Sequence, residues 1–255
     1  MLWTYRTAPT SWITAALAVI FVSSTWGLTL EPLSHVFGSS PTDRVHTYRV
    51  TNTQEREIAV RISVTTRNHS PQGREIRGDA SNDWVIFPSR VVLAPGQSQA
   101  VRVQYTGAGG LQRERAFRII AEQLPVNTRE GEQRSGINVL FRYEGSMYVR
   151  SGRFSPEVLL VHAERHFEEG IFQGILVRFG NQGSTHAILH NLQLTLTLRN
   201  ESGEQLDQIV FAEEDLKILG GRNILAGAIL EEVLPLPETW SRGVYDVQHT
   251  VTLLD

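Results

Sequence analysis

The chain contains no cysteine in its 255 residues. It therefore has neither a disulfide framework nor a cysteine metal site, and the absence suits an oxidising compartment, where a free thiol is reactive. Basic and acidic residues are interspersed, the formal net charge is −3, and no basic run occurs, so we expect no nucleic-acid partner. Long helical periodicity is missing as well, which argues against a helical fold.

Long apolar runs are also scarce, and the one candidate lies near the start of the chain. Trp12–Val22 is apolar except for Thr14, follows the positive charge of Arg6 and precedes small residues. As a helix it would span about 16 Å, well short of the roughly 30 Å apolar core of a bilayer. The pattern predicts a signal peptide over residues 1–27 that is removed after Ser24 or Gly27, with a membrane anchor as the alternative.

The remaining chain consists of short segments of alternating apolar and polar residues, separated by turn residues. Ile58–Val64 alternates clearly, and Leu192–Leu198 is the clearest run of period two. Residues 68–83, which are polar and contain proline and glycine, are predicted to form a loop. The spacing predicts an all-β chain of two β-sandwiches, an N-terminal domain over residues 28–150 and a C-terminal domain over residues 154–255.

One strand stands out, because it lies between a polar segment and the predicted domain boundary. Over residues 135–150, Ile137, Val139 and Phe141 fall on one face, and polar residues fall on the other. The preceding residues 127–136 are charged, rich in glycine and aperiodic, which predicts a mobile loop. An ordinary half-buried strand fits the alternation, and so does a strand that offers its apolar side chains to another protein.

Catalytic and metal-binding patterns are weak. His162 and His166, like His186 and His190, have a spacing that suits a metal only on a helix, whereas their segments are predicted to be extended. Neither a Gly-x-Ser-x-Gly elbow nor a glycine-rich phosphate loop is present. The sequence predicts a protein that is not an enzyme and has no cofactor.

Three segments follow one another in the first domain. Residues 84–103 pass through Pro88 and a Leu-Ala-Pro-Gly turn, residues 113–125 place an Arg-Glu pair before an aromatic strand and a proline, and the strand over residues 135–150 follows. Together they resemble the N-terminal domain of periplasmic pilus-assembly chaperones, the PapD-like family of the chaperone–usher pathway. The resemblance covers residues 28–150 and continues more weakly into the second domain.

The resemblance implies two immunoglobulin-like β-sandwiches set at an angle and a location in the periplasm. It implies pilus or fimbrial subunits and an outer-membrane usher as partners, and no span within the membrane. In this family the chaperone lends a strand to a subunit whose own sandwich lacks one, which is called donor-strand complementation. The matching positions here are Ile137, Val139 and Phe141, whose side chains would fill the groove of the subunit.

Two positions depart from the family pattern. Family members anchor the C-terminal carboxylate of the subunit with an arginine on the first strand and a lysine on the donor strand, and these positions match Ser34 and Ser146. Three arginines are alternatives for the missing charge, Arg44, Arg142 and Arg150. Glu114 and Arg150 match family residues that pair near the domain junction, whereas the third, acidic partner of that group has no match in the second domain.

Two functions from different classes therefore remain open. The first is a periplasmic chaperone that stabilises pilus subunits and delivers them to an usher. The second is a two-domain β-sandwich with a structural or adhesive role at the cell surface. They differ in the donor strand, whose apolar side chains are exposed in a chaperone and covered in a purely structural protein.

Overall fold

The computed structural model describes residues 27–125, 139–242 and 244–254. Residues 1–26 of the predicted signal peptide and the predicted loop at 127–136 lie outside this range. The described chain is almost entirely extended, with two short 3₁₀ helices at Ser81–Asp83 and Glu238–Ser241. No helix in it combines the length and the hydropathy that crossing a membrane requires.

The first domain contains ten described strands in two sheets. They are β1 Leu28–Glu31, β2 Ser34–Phe37, β3 Val45–Asn52, β4 Ile58–His69, β5 Glu75–Asp79, β6 Trp84–Phe87, β7 Arg90–Leu93, β8 Ser98–Tyr105, β9 Arg115–Leu124 and β10 Arg142–Val149. One sheet has the order β1-β3-β8-β6, and the other has the order β2-β10-β9-β4-β5, with β7 also paired to β4. Alternate residues of both sheets point inward, and Trp84, Tyr105 and Phe117 pack edge to face or tilted within one buried core.

The second domain contains seven described strands in two sheets. They are β11 Val158–Glu168, β12 Ile171–Asn181, β13 Ala187–Arg199, β14 Gln205–Phe211, β15 Asn223–Ile224, β16 Ile229–Pro235 and β17 Val244–Leu254. One sheet has the order β11-β12-β16, and in the other β13 pairs with β14, β15 and β17. The alternating leucines of β13, Leu192 to Leu198, are buried in a core that is separate from that of the first domain.

The prediction of an all-β chain of two sandwiches is confirmed. The predicted loop over residues 68–83 is wrong in its centre, where β5 forms although it is polar. Among the described strands it pairs only with β4, so it lies at the edge of the sheet and its charged side chains need no apolar face. The predicted donor strand is shorter than expected in the described range, since β10 begins at Arg142 and residues 139–141 are not part of a strand.

Candidate functional site

Among the described strands, the N-terminal half of β10 has a partner on one side only. Its whole length, Arg142–Val149, pairs with β9, whereas β2 pairs only with Ser146–Val149. Within the described residues, no strand pairs with the opposite edge of residues 142–145. Successive residues of a strand direct their backbone groups to opposite edges, so those of Arg142 and Glu144 face away from β9. This edge is open for pairing with a further strand.

The two described donor-strand positions, which directly precede this edge, differ in exposure. Val139 is 53% exposed. Phe141 is partly buried against the core of the first domain, and its ring lies against Gly27. The backbone N–H of Gln123 donates to the carbonyl of Phe141 at 2.8 Å, which extends the contact with β9. Ile137, the third donor-strand position, lies outside the described residues.

Ser34 and Ser146, the two positions at which the family carries charge, are direct neighbours in the structure. They are register partners in the parallel pair of β2 and β10. The N–H of Ser146 donates to the carbonyl of Leu33 at 2.7 Å, which joins the two strands at this point. The serine side chains therefore mark one spot on the outer face of the sheet.

A positive charge lies beside this spot, on the neighbouring strand. Arg118 of β9 is the register partner of Ser146, and its Nη1 donates to the Ser146 hydroxyl at 2.6 Å. Its Nη2 also lies 2.7 Å from Glu75. Arg67 and Arg77 pair with the same carboxylate at 3.2 and 2.8 Å. Burial raises the pKa of Glu75, but the three arginines outweigh that effect and hold the pKa below its ordinary value.

The cluster continues across the outer face of the sheet as a chain of ion pairs. Five arginines and three glutamates are linked: Arg61, Arg67, Arg77, Arg118 and Arg142, with Glu75, Glu122 and Glu144. The linked group therefore carries two positive charges in excess of its own negative ones. A surface with this excess of positive charge attracts an anion such as a carboxylate.

The three arginines considered from the sequence are engaged elsewhere. Arg44 lies over the ring of Tyr105, at 5.7 Å from its centroid, and Arg150 binds Glu114. Arg142 belongs to the same linked group but pairs with Glu122 and Glu144. Arg118, which the sequence comparison did not single out, is the arginine that contacts Ser146.

The domain junction is built around a buried carboxylate. The Glu114 side chain is 1% exposed, and Nε of Arg150 donates to its Oε2 at 2.6 Å. From the second domain, His186 contacts Oε1 of Glu114 through its ring Nδ1 at 2.7 Å and its backbone N–H at 3.1 Å. Burial raises the pKa of Glu114, but the hydrogen bonds from His186 and Arg150 outweigh that effect and lower the pKa below its usual value.

Tyr148 of β10 links this junction to the outer face that carries Ser146. Its ring stacks on the His186 imidazole, with centroids 3.9 Å apart and planes at 13°. Its hydroxyl accepts hydrogen bonds from Arg67 of the first domain and from Asn223 of the second, both at 2.9 Å. Ser146 therefore lies two residues along the same strand face from the contact between the domains.

His186 is the junction residue that the sequence did not reveal. The resemblance implied an acidic partner from the second domain, and the residue found there is a histidine. The histidine pairs with metal spacing lie on or beside strands, and no group of three or more metal-binding side chains forms among the described residues.

Residues 38–150 match the family described as pili and flagellar-assembly chaperone, PapD N-terminal domain. The match covers the first domain, which is therefore similar to the N-terminal domain of the PapD-like assembly chaperones. No curated protein sequence matches the chain.

Solved structures share the fold across both domains. The class 5 fimbriae chaperone CfaA has 14% identity and a TM-score of 0.55, over 90% of this chain and 92% of that one. The CsuC–CsuE chaperone–tip adhesion subunit complex of Acinetobacter baumannii has 12% identity and a TM-score of 0.56, over 86% and 97%. The complex of the SafB chaperone with SafA pilin from Salmonella enterica has 12% identity and a TM-score of 0.50, over 89% and 97%.

Proposed function

We propose that this protein is a periplasmic chaperone that binds pilus or fimbrial subunits by donor-strand complementation and delivers them to an outer-membrane usher. The observation that carries the proposal is the edge of β10 at residues 142–145, which no described strand covers and which follows shortly after the exposed Val139. A subunit strand on this edge would gain main-chain hydrogen bonds, and its groove would receive alternate apolar side chains.

The relatives give the proposal its partner class. One solved relative is a chaperone in complex with a pilin, and another is a chaperone–tip adhesion subunit complex. The identities are low, so the partner is inferred from the family match of the first domain together with the open edge. The usher and the periplasmic location are inferred from the similarity of the first domain to this family alone.

We further propose that Arg118 supplies the charge that anchors the C-terminal carboxylate of the subunit, in place of the charged residues absent at Ser34 and Ser146. Arg118 contacts the Ser146 hydroxyl, and it belongs to a group with two excess positive charges. The carboxylate would accept from the guanidinium, and the two serine hydroxyls would add neutral hydrogen bonds. Glu114 and Arg150 would hold the domains in position and would not contact the subunit.

The alternative, a structural or adhesive surface protein, is disfavoured by the same edge, because a purely structural strand would be covered on both sides. The test is purification of the tagged protein from the periplasm, followed by mass spectrometry of the chains that copurify. We expect a one-to-one complex with a pilus subunit whose gene lies together with the gene of an usher. Recovery of the protein alone from cells that express pilus subunits would contradict the proposal.

A further inference from the structure

His69, the last residue of β4, contacts the second domain through a hydrogen bond that depends on its protonation state. The backbone N–H of Leu225, in the second domain, donates to Nε2 of His69 at 3.3 Å. The other ring nitrogen, Nδ1, lies 3.0 Å from the carbonyl of Ser70. We propose that His69 is a pH-sensitive contact between the domains, which holds the β4–β5 turn, residues 70–74, against the second domain while the ring is neutral and loosens it when the ring is protonated.

The two partners of the ring assign its tautomer. A backbone N–H can only donate, so Nε2 of His69 must carry a lone pair when it accepts from Leu225. A carbonyl oxygen can only accept, so the proton of the neutral ring lies on Nδ1 and points to Ser70. Protonation of the ring places a proton on Nε2, which then faces the N–H of Leu225 as a second donor. The hydrogen bond between the domains is therefore lost on protonation.

This hydrogen bond belongs to the contact that docks the β4–β5 turn on the second domain. The backbone N–H of Glu231 donates to the carbonyl of Pro71 at 2.7 Å, and the side-chain amide of Gln72 donates to the carboxylate of Glu231 at 3.1 Å. Of these contacts, the hydrogen bond to His69 is sensitive to mild acid, because histidine titrates between about pH 5 and 8. Its loss weakens the docking of the whole turn.

The charges around His69 act in the same direction. Three charged residues line the same cavity between the domains as His69: Arg67, Glu75 and Arg222. Glu75 is the register partner of His69 on β5, and Arg67 lies two residues before it on β4, so their effect on the ring is the same whether or not the turn is docked. Arg222 belongs to the second domain, so a protonated His69 faces a cation across the junction, and their repulsion adds to the loss of the hydrogen bond. The nearby acids of β16 already pair with arginines of the second domain, Glu231 with Arg178 and Glu232 with Arg222.

His186, the other histidine of the junction, should respond differently to acid. Its Nδ1 contacts the carboxylate of Glu114, which only accepts, so Nδ1 donates whether or not the ring is protonated. The hydrogen bonds to Glu114 lower the pKa of this carboxyl group, so it stays ionised in mild acid and the contact persists. Mild acid should therefore loosen the β4–β5 turn locally and leave the domains attached through Glu114.

The test is amide hydrogen exchange of the purified chain at about pH 7.5 and about pH 5.5, corrected for the pH dependence of exchange in an unfolded peptide. Protection of the Leu225 amide should fall about fivefold on acidification, the factor that corresponds to one net hydrogen bond. H69Q should abolish this fall, because the glutamine oxygen accepts at both pH values, and H69F should show the low protection already at the higher pH. H162Q is the matched control, since His162 is an exposed histidine of the second domain, and it should behave as the unmodified chain does.

Two further readouts separate loosening of the turn from a general loss of stability. The Glu231 amide, which donates to Pro71 across the junction, should lose protection together with Leu225, whereas the Leu189 amide, which donates to the carbonyl of Arg222 within the second domain, should keep it. The tautomer is read from a long-range proton–nitrogen correlation spectrum, which should show His69 protonated on Nδ1 at neutral pH. Protection of Leu225 that does not change with pH, an equal fall in H69Q, or a ring protonated on Nε2 at neutral pH would overturn the proposal. The test uses the chain alone, so its result is independent of whether the protein binds a pilus subunit.

Discussion

His186 and Glu114 join the two domains through a single carboxylate oxygen, which contacts both the imidazole Nδ1 and the backbone N–H of the histidine. Arg150 binds the other oxygen of the same carboxylate. Glu114 is therefore satisfied on both oxygens although its side chain is almost fully buried. A buried charge of this kind is tolerated only when it is paired and hydrogen-bonded.

Replacing Glu114 with glutamine should destabilise the protein, because Arg150 then loses its anion and His186 loses a charge-assisted acceptor. We expect a loss of about 2 kcal/mol in the free energy of unfolding, measured by urea denaturation. Glu122→Gln is the control, since it breaks more exposed ion pairs on the surface of the same domain. That variant should lose less than about 1 kcal/mol, and an equal loss in both variants would contradict the role of Glu114.

The lowered pKa of Glu114 predicts acid sensitivity. Since the folded state holds this carboxylate ionised more strongly than the unfolded chain does, the stabilisation is fully present above its ordinary pKa of 4.5. It is lost as the pH falls through the lower pKa of the folded state. Urea denaturation at pH values below 4.5 should show a smaller loss on acidification in Glu114→Gln than in the unmodified chain. Parallel pH profiles for the two proteins would show that Glu114 does not contribute.

A second pH effect is expected from His35 of β2 and His46 of β3, whose rings stack with centroids 3.7 Å apart. Burial lowers the pKa of both residues, and the charge of His46 further lowers that of His35. The unfolded chain then binds protons more readily, so stability should fall as the pH drops below the ordinary histidine pKa of 6.5.

His46→Gln should reduce this loss between neutral pH and pH values near 5, because it removes one titrating ring and the repulsion on the other. The measurement is the melting temperature across that range, with His162→Gln as the control on an exposed histidine of the second domain. β2 also carries Ser34, so acidification should weaken the pairing of β2 with β10 beside the proposed anchor Arg118. An unchanged pH profile in His46→Gln would contradict the assignment.

The fold was predictable where one face of a strand is apolar, as in the leucines of β13. β5 was missed because an edge strand with a charged face carries no apolar alternation. For the candidate site, the family pattern named single positions, Ser34, Ser146, Glu114 and Arg150, whose roles stay predictions. Their neighbours were not predictable, because Arg118 reaches Ser146 through strand register and His186 reaches Glu114 across the domain junction.

Arg118→Met should weaken binding of the subunit while it leaves the free protein folded, because Glu75 keeps Arg67 and Arg77 as partners. We expect a loss of about tenfold in affinity, measured by titration calorimetry with the copurified subunit. Arg61→Met, at the far end of the same group of ion pairs, is the control and should bind nearly normally. Equal affinity in Arg118→Met and the unmodified protein would contradict the proposed anchor.

Val139 is a better probe of the donor strand than Phe141. If both side chains were exposed in the free protein, aspartate at either position would leave it stable. Because Phe141 packs against its own domain core, Phe141→Asp should also lower folding stability, which confuses loss of binding with loss of fold. Val139 is half exposed, so its substitution separates the two effects.

The central claim is tested most directly by the affinity of Val139→Asp for the copurified subunit, with Val85→Asp as the matched control. Both valines are 53% exposed, and Val85 lies on β6 in the other sheet of the same domain. Both variants should melt close to the unmodified protein, because an exposed substitution changes stability by about 0.5 kcal/mol or less. Val139→Asp should abolish binding, since it loses about 1.5–3 kcal/mol of apolar burial and places a charge in a dry groove, whereas Val85→Asp should bind normally. Normal binding by a well-folded Val139→Asp would contradict the account.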